Sequence, residues 1–327
     1  MKKLINDVDE VLAESLDGFA AAHADILRLA PERKFVARRE LKRGKVALIS
    51  GGGSGHEPLH AGFVGHGMLD AACPGQVFTS PTPDQMLAAA QAVDGGAGVL
   101  FIVKNYSGDM MNFQMAAEML GQENETVIVN DDVAVENSTY TTGRRGVAGT
   151  LVVEKIVGAA AERGADLAAL KALGDAVNKA TASMGVALTS CTPPAKGKPI
   201  FELGDDEMEV GVGIHGEPGR RRDKMKSADA ITDEIFDAVS KDLPFNKGDR
   251  VALMINGLGG TPPSELYVLY RKAALRAKNA GLKVVRNYVG NYCTSLEMAG
   301  ASLTLLKLDK EIEDLLAAPA EIAVRVF

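Results

Sequence analysis

Two imidazoles, a lysine and a carboxylate stand out in this chain because each lies beside glycine or at the end of an apolar run. His56 follows Gly51-Gly52-Gly53-Ser54-Gly55, and His215 sits in Val210-Gly211-Val212-Gly213-Ile214-His215-Gly216-Glu217-Pro218-Gly219. Lys104 and Asp109 bracket Asn105-Tyr106-Ser107-Gly108. A neutral imidazole is a nucleophile and a general base near neutral pH, a carboxylate accepts protons, and an ammonium group only donates. A lone histidine is more often a core residue than a reactive one. At His215, glycines at 211, 213, 216 and 219 leave the ring little side-chain cover, so both readings stand. His60 and His66 read as structural.

The elements that must position these groups follow from periodicity. Lys45 to Ser50 is an apolar run that reads as a buried strand. The glycines after it permit positive φ and close approach to a ligand, and Pro58 stands where a helix could begin. Strands are also expected at 98–103, ending beside Lys104, and at 126–130, followed by Asp131 and Asp132. Helices are expected within 1–30, at 82–93 with Thr82 as N-cap, at 110–120, at 150–164 and at 167–182. Strands alternating with helices predict a parallel sheet, whose ligand crevice lies beyond the carboxyl ends of its strands. The three loops leaving those ends would bring a cation, a carboxylate and an imidazole to one edge.

Past residue 185 the alternation is less regular. Strands are expected at 186–190, 208–214, 251–255, 282–289 and 301–308, and helices at 231–239, 264–280 and 311–317. The expectation is α/β throughout, in two domains. Residues 1–184 would form a three-layer, Rossmann-like parallel-sheet domain with the glycine-rich loop. Residues 185–327 would form a smaller two-layer mixed-sheet domain carrying His215.

The totals exclude several function classes. A chain of 327 residues exceeds the roughly 250–300 at which single cores stop growing. A net charge of −7 argues against nucleic acid, whose phosphates need clustered cations. The Arg220–Arg222 run reads as an exposed loop. Three scattered cysteines give neither a disulfide framework nor metal-ligand spacing. No secretory signal or membrane span is evident, so the expected location is the cytoplasm. His56-Glu57-Pro58-Leu59-His60 matches the zinc motif H-E-x-x-H in letters only, because Pro58 prevents both histidines from sharing one helical face. No metal site is expected. Neither nucleotide fingerprint fits, since no G-K-[ST] follows the glycines and position 58 is Pro. The glycine loop therefore suits a small polar substrate. Asn256-Gly257-Leu258-Gly259-Gly260-Thr261-Pro262 reads equally as an anion site at a helix start or as a tight turn capped by Thr261.

Several blocks resemble the K, or dihydroxyacetone-binding, subunits of dihydroxyacetone kinases. They are SGGGSGHEP at 50–58, FTSPTPDQ at 78–85, IVKNYSGD at 102–109, DDVAV at 131–135, TTGRRGVAGT at 141–150, GVGIHGEPG at 211–219, NGLGGTP at 256–262 and YCTSLEMAG at 292–300. The resemblance implies a homodimeric two-domain α/β protein that binds dihydroxyacetone as a hemiaminal on a histidine nitrogen. That histidine would be His215. Gly53, Ser54, Gly55 and His56 would contact the substrate, Lys104 and Asp109 would bond its hydroxyls, and His56 and Asp109 would act as acid and base. The chain ends at Phe327, where single-chain ATP-dependent relatives would continue into a nucleotide-binding domain. The expectation is thus no cofactor on this chain, with ADP or ATP and Mg on a separate L-type subunit, rephosphorylated through the phosphotransferase system. The alternatives are a dihydroxyacetone-binding regulator without catalysis and a kinase subunit for another short ketose such as erythrulose.

Overall fold

The computed structural model describes residues 2–324, organised around two six-stranded sheets. The first sheet takes β1 (Leu27–Leu29), β2 (Val36–Arg38) and β3 (Ala47–Ser54) and, after a short β4 (Gly65–His66), β5 (Ala71–Val77), β6 (Val99–Lys104) and β7 (Asn124–Val129). Their order is β1-β2-β5-β3-β6-β7. The last four of these are mutually parallel, while β1 and β2 add an antiparallel edge.

Alternation along the central strands explains the layers. Leu48, Leu100 and Ile102 face a core shared with α4 (Thr150–Glu162) and α5 (Leu167–Lys179). Ile49, Phe101 and Val103 point the other way, onto α2 (Pro83–Val93) and α3 (Ser107–Met119). Helix α2 starts as its sequence demands, with Pro83 in its first turn and Gln85 Oε1 accepting the Thr82 N–H at 3.0 Å. In the N-terminal stretch, α1 covers only Val11–Ala22.

The second sheet contains β8 (Thr181–Ala187), β9 (Glu207–Val210), β10 (Arg221–Lys224), β11 (Arg250–Gly257), β12 (Lys283–Gly290) and β13 (Gly300–Leu308). Its order is β10-β9-β8-β13-β11-β12, with only β11 and β12 parallel, so the sheet is mixed. Helices α6 (Ala228–Asp242) and α7 (Pro263–Asn279) cover one face through Ile235, Phe236, Leu266 and Ala273. The other face, with Met254, Leu306 and Leu308, joins the core around α4. Helix α4 therefore lies between the two sheets, buried from Thr150 through Ala161. Strand β8 crosses the 184/185 position, and after α8 (Lys310–Leu316) the chain returns to the first half, where β14 (Glu321–Ile322) pairs with β4.

Small residues make that central helix possible. A Cβ built on Gly158 would lie 2.5 Å from Gly67 O and from Met68 Cα, both backbone atoms that cannot swing away. We expect Gly158→Val to lower unfolding free energy by about 2 kcal/mol or more through overpacking, measured by chemical denaturation.

Several elements differ from their sequence signals. No α-helix begins at Pro58; the segment makes turns and a single 3-10 turn at Ala61–Phe63. Strand β5, AACPGQV, carries Pro and Gly and little β-branched content, and neighbouring strands rather than propensity hold it extended. Strand β9 stops at Val210 because Gly211 turns at φ +83. Arg221 and Arg222 form part of an edge strand rather than a loop, and Arg221 is ion-paired to Glu234 and Asp223. Thr261 is not a helix cap. Its hydroxyl donates to Gly300 O and accepts from Gly300 N, each at 2.7 Å. Gly259 and Gly260 pack against the backbone of residues 296–299, so that loop is a structural junction with no cradle for an anion.

Candidate active site

Strand β3 carries the glycine run, and the glycines serve space rather than unusual φ. A Cβ on Gly51 would lie 2.5 Å from Cys73 O, one on Gly52 would lie 2.4 Å from Lys104 Nζ, and one on Gly53 would lie 2.6 Å from Thr79 N. Of Gly51, Gly52, Gly53 and Gly55, only Gly55 has positive φ, at +102. The run is therefore a thin extended wall against which Lys104, at the end of β6, can be laid flat.

Beyond that wall His56 is buried, with its ring stacked on Phe78 at 5.0 Å between centroids. Phe78 holds φ +56, unusual for a residue with a Cβ. His56 Nδ1 lies 2.7 Å from Thr294 O, and a carbonyl only accepts, so the ring carries its proton on Nδ1. Burial first, then the neighbouring His215 and Lys104, holds His56 well below the usual imidazole range. Its free Nε2 lies 3.0 Å from His215 Nε2.

His215 arrives on the β9–β10 connection, which wraps around its own carboxylate. Glu217 Oε2 accepts the His215 backbone N–H at 3.0 Å, and Glu217 Oε1 accepts from His215 Nδ1 at 3.1 Å. Burial acts to raise the Glu217 carboxyl, but His215 and Arg145 outweigh it and hold it below the usual carboxylate range. Both imidazoles thus have acceptors at Nδ1, and their Nε2 atoms face each other. Tyr106 meets the His215 ring edge-on at 4.5 Å.

His215 borders a cleft of about 670 Å³, lined among others by Gly53, Ser80, Tyr106, Asp109 and Lys196. Asp109, in the first turn of α3, is buried, and its Oδ1 has no hydrogen-bond partner; the Tyr106 hydroxyl also has none. Unpaired buried oxygens cost free energy unless something else satisfies them, and both residues line the cleft. Lys104 lies behind this wall, 3.8 Å from Asp109 Oδ2 and 2.8 Å from His60 Nε2.

The structure therefore gathers Asp109, His215 and Gly53 at one cleft, with His56 buried directly behind His215 and Lys104 beneath the glycine wall. Ser54 and Gly55 are not among the residues lining it: Ser54 Oγ donates to Gly75 O at 2.7 Å, and Gly55 packs on Phe78 and Leu296. Asp131 and Asp132 also stay out. Asp131 accepts from the N–H groups of Val147 and Gly149, both at 2.8 Å, and Asp132 pairs with Arg145. Glu217, Phe78 and Tyr106 were not recognised from sequence. Glu217 had a signal, a carboxylate two residues from the histidine, whereas the Thr294 carbonyl, being backbone, had none. Among the described residues no group of three His, Cys, Asp or Glu could hold a metal ion, and no helix is long and apolar enough to cross a membrane.

Fold and site together define a two-sheet α/β protein with a cleft lined by His215, Asp109 and Tyr106. The chain belongs to the Dak1 domain family, which matches residues 17–324. It is 51% identical over 98% of its length, and 99% of the relative's, to the dihydroxyacetone-binding subunit DhaK of PTS-dependent dihydroxyacetone kinase 1 from Listeria innocua. Its fold matches the dihydroxyacetone kinase of C. freundii in complex with AMP-PNP and Mg²⁺ with a TM-score of 0.92 and 37% identity, covering 99% of this chain. This chain spans 61% of that kinase. A dihydroxyacetone kinase operon co-activator also matches, with a TM-score of 0.90 and 34% identity over 97% of this chain and 98% of that one. The resemblance to K subunits thus extends over the whole chain, and the relatives that carry it are parts of phosphotransferases.

Proposed function

We propose that this chain is the ketose-binding subunit of a multi-subunit, phosphotransferase-system-dependent dihydroxyacetone kinase. The observation that carries the reading is the His56–His215 pair, whose His215 lines a cleft together with Asp109. His215 Nε2 attacks the carbonyl carbon of dihydroxyacetone, and the C=O π pair moves onto oxygen. In the reacting state a proton bridges the two Nε2 atoms, and it passes through His56 to that oxygen, giving a neutral hemiaminal hydroxyl. The alkylated His215 ring keeps its Nδ1–H and its positive charge, which the Glu217 carboxylate balances.

A carbonyl trap selects ketoses over glycerol, which hydrogen bonding alone would separate poorly. Covalent attachment also fixes the terminal hydroxyl, and Asp109 acts as the base that takes its proton when oxygen attacks phosphorus. The donor is the phosphoryl group of a nucleotide with Mg on a separate L-type subunit, and the product is dihydroxyacetone phosphate. The cleft is far larger than a triose, which leaves room for that phosphate to approach. In this reading residues 1–184 supply the acid–base groups and residues 185–327 the covalent histidine, in a cytoplasmic homodimer.

The co-activator's similarity makes a regulator without catalysis the second reading. A coupled assay with the nucleotide-carrying subunit, run on dihydroxyacetone, erythrulose and glycerol, separates the cases. Turnover of dihydroxyacetone above erythrulose, with none on glycerol, is expected. Turnover of erythrulose alone would reassign the substrate, and binding without turnover would favour the regulator.

A further inference from the structure

Beneath the glycine wall lies a second set of polar groups that the chemistry above leaves unused. Lys104 Nζ is 2.8 Å from His60 Nε2, and His60 Nδ1 is 2.6 Å from Glu154 Oε1 and 2.9 Å from Ser50 Oγ. All four side chains are buried, Ser50 and Glu154 with no measurable exposure. An ammonium group only donates, so His60 must present a bare Nε2 and carry its proton on Nδ1. Ser50 confirms the direction. Its hydroxyl donates to Ile102 O at 2.7 Å, so towards His60 it can only accept. The line of donation runs one way, from Lys104 through His60 to Glu154.

We propose that His60 and Glu154 are positioning residues for phosphoryl transfer, holding Lys104 beside Asp109 and passing the charge state of Glu154 to it through the imidazole. The inference rests on the kinase reading above and assigns a role within that site.

The groups facing this line are few. His60 meets Ser50 from β3, Lys104 from β6, Glu154 from α4 and the field of His56. Lys104 meets Asp109 from α3, with the Cys293 thiol also in its field. Burial, then Lys104 and His56, holds the His60 ring well below the usual imidazole range. Burial pushes Glu154 up to about 8, against the pull of Lys104, and its Oε2 has no hydrogen-bond partner. As pH rises through that value Glu154 becomes a carboxylate and the bond from His60 Nδ1–H becomes charge-assisted. His60 Nε2 then holds the Lys104 ammonium more firmly. Because Lys104 Nζ lies 3.8 Å from Asp109 Oδ2, the proton transfer to Asp109 should strengthen as pH rises through about 8.

The test uses the full chain with its nucleotide-carrying partner, as wild type, His60→Leu, His60→Gln and Glu154→Gln. His60→Leu should lower kcat by about ten- to a hundredfold with a smaller change in KM, the scale of a misplaced catalytic group. His60→Gln, whose amide oxygen can accept from Lys104, should recover part of that loss. Glu154→Gln should erase the rise in kcat near pH 8. Independently of turnover, ¹⁵N NMR of the His60 ring should show an Nδ1–H tautomer with an inflection near pH 8 that Glu154→Gln removes. A folded His60→Leu chain with unchanged kcat, or a ring signal indifferent to Glu154→Gln, overturns the proposal. If His60→Leu does not fold, Glu154→Gln and the ring signal decide it. If the wild type turns over no ketose, the kinase reading fails and the ring signal still decides whether the relay exists.

Discussion

Replacing His215 by alanine should abolish a mass increase of one triose that the wild-type chain gains on exposure to dihydroxyacetone. The readout is intact-protein mass spectrometry under native conditions or after borohydride treatment. Phosphorylation with the partner subunit should fall by about a thousandfold or more, the scale on which removal of a covalent nucleophile is felt. His56→Asn provides the contrast. The nucleophile remains and the adduct still forms, but His56 Nε2 no longer relays the proton to the new oxygen. Its loss should cost about a hundredfold or more in the rate of adduct formation, within the range of general acid–base catalysis. An adduct that persists in His215→Ala would place the carbonyl trap elsewhere. An adduct as fast in His56→Asn as in wild type would make the 3.0 Å contact between the rings a packing feature only.

The two histidines were legible in the sequence for different reasons. His56 follows an apolar run and a glycine block, so strand periodicity alone places it at the carboxyl end of a parallel strand. His215 lies on a connection between antiparallel strands of the other sheet, and no local pattern says that this loop reaches the first sheet. Its surrounding glycines marked it out, and the resemblance then gave it a role. The alternating fold of the first half was legible because β6 and β7 have unbroken apolar cores. Strand β5 was not, since Pro74 and Gly75 hide it and its partners β2 and β3 hold it in place. The glycine run misled in an instructive way. It suggested a ligand loop with positive φ, whereas Gly51 to Gly53 are extended and small because Cys73, Lys104 and Thr79 press against them. His60 read as structural because a side chain's neighbours across the fold, here Lys104 and Glu154, leave no trace in spacing.

Arg145 couples the fold to the site, and its removal should affect both in separable ways. It is fully buried, its Nε lies 2.8 Å from Asp132 Oδ2, and its Nη2 donates to Gly211 O at 2.7 Å. It thereby ties the end of β7 to the start of the loop that carries His215. Arg145→Ala leaves the Asp132 carboxylate buried without its partner, and the expected loss is about 3–5 kcal/mol in chemical denaturation. Arg145→Lys keeps the charge but lacks the planar fork that reaches Asp132 and Gly211 O together, so it should fall between the two. The decisive variant combines Arg145→Met with Asp132→Asn. Removing both charges together should recover most of the stability, because replacing a buried pair by groups of similar volume is often nearly neutral. Adduct formation should stay slow, since nothing then fixes Gly211 O and the loop that aims His215 at His56. If the double variant regains stability and adduct rate together, Arg145 only neutralises a buried charge; if it regains stability alone, Arg145 also holds the histidine pair in register.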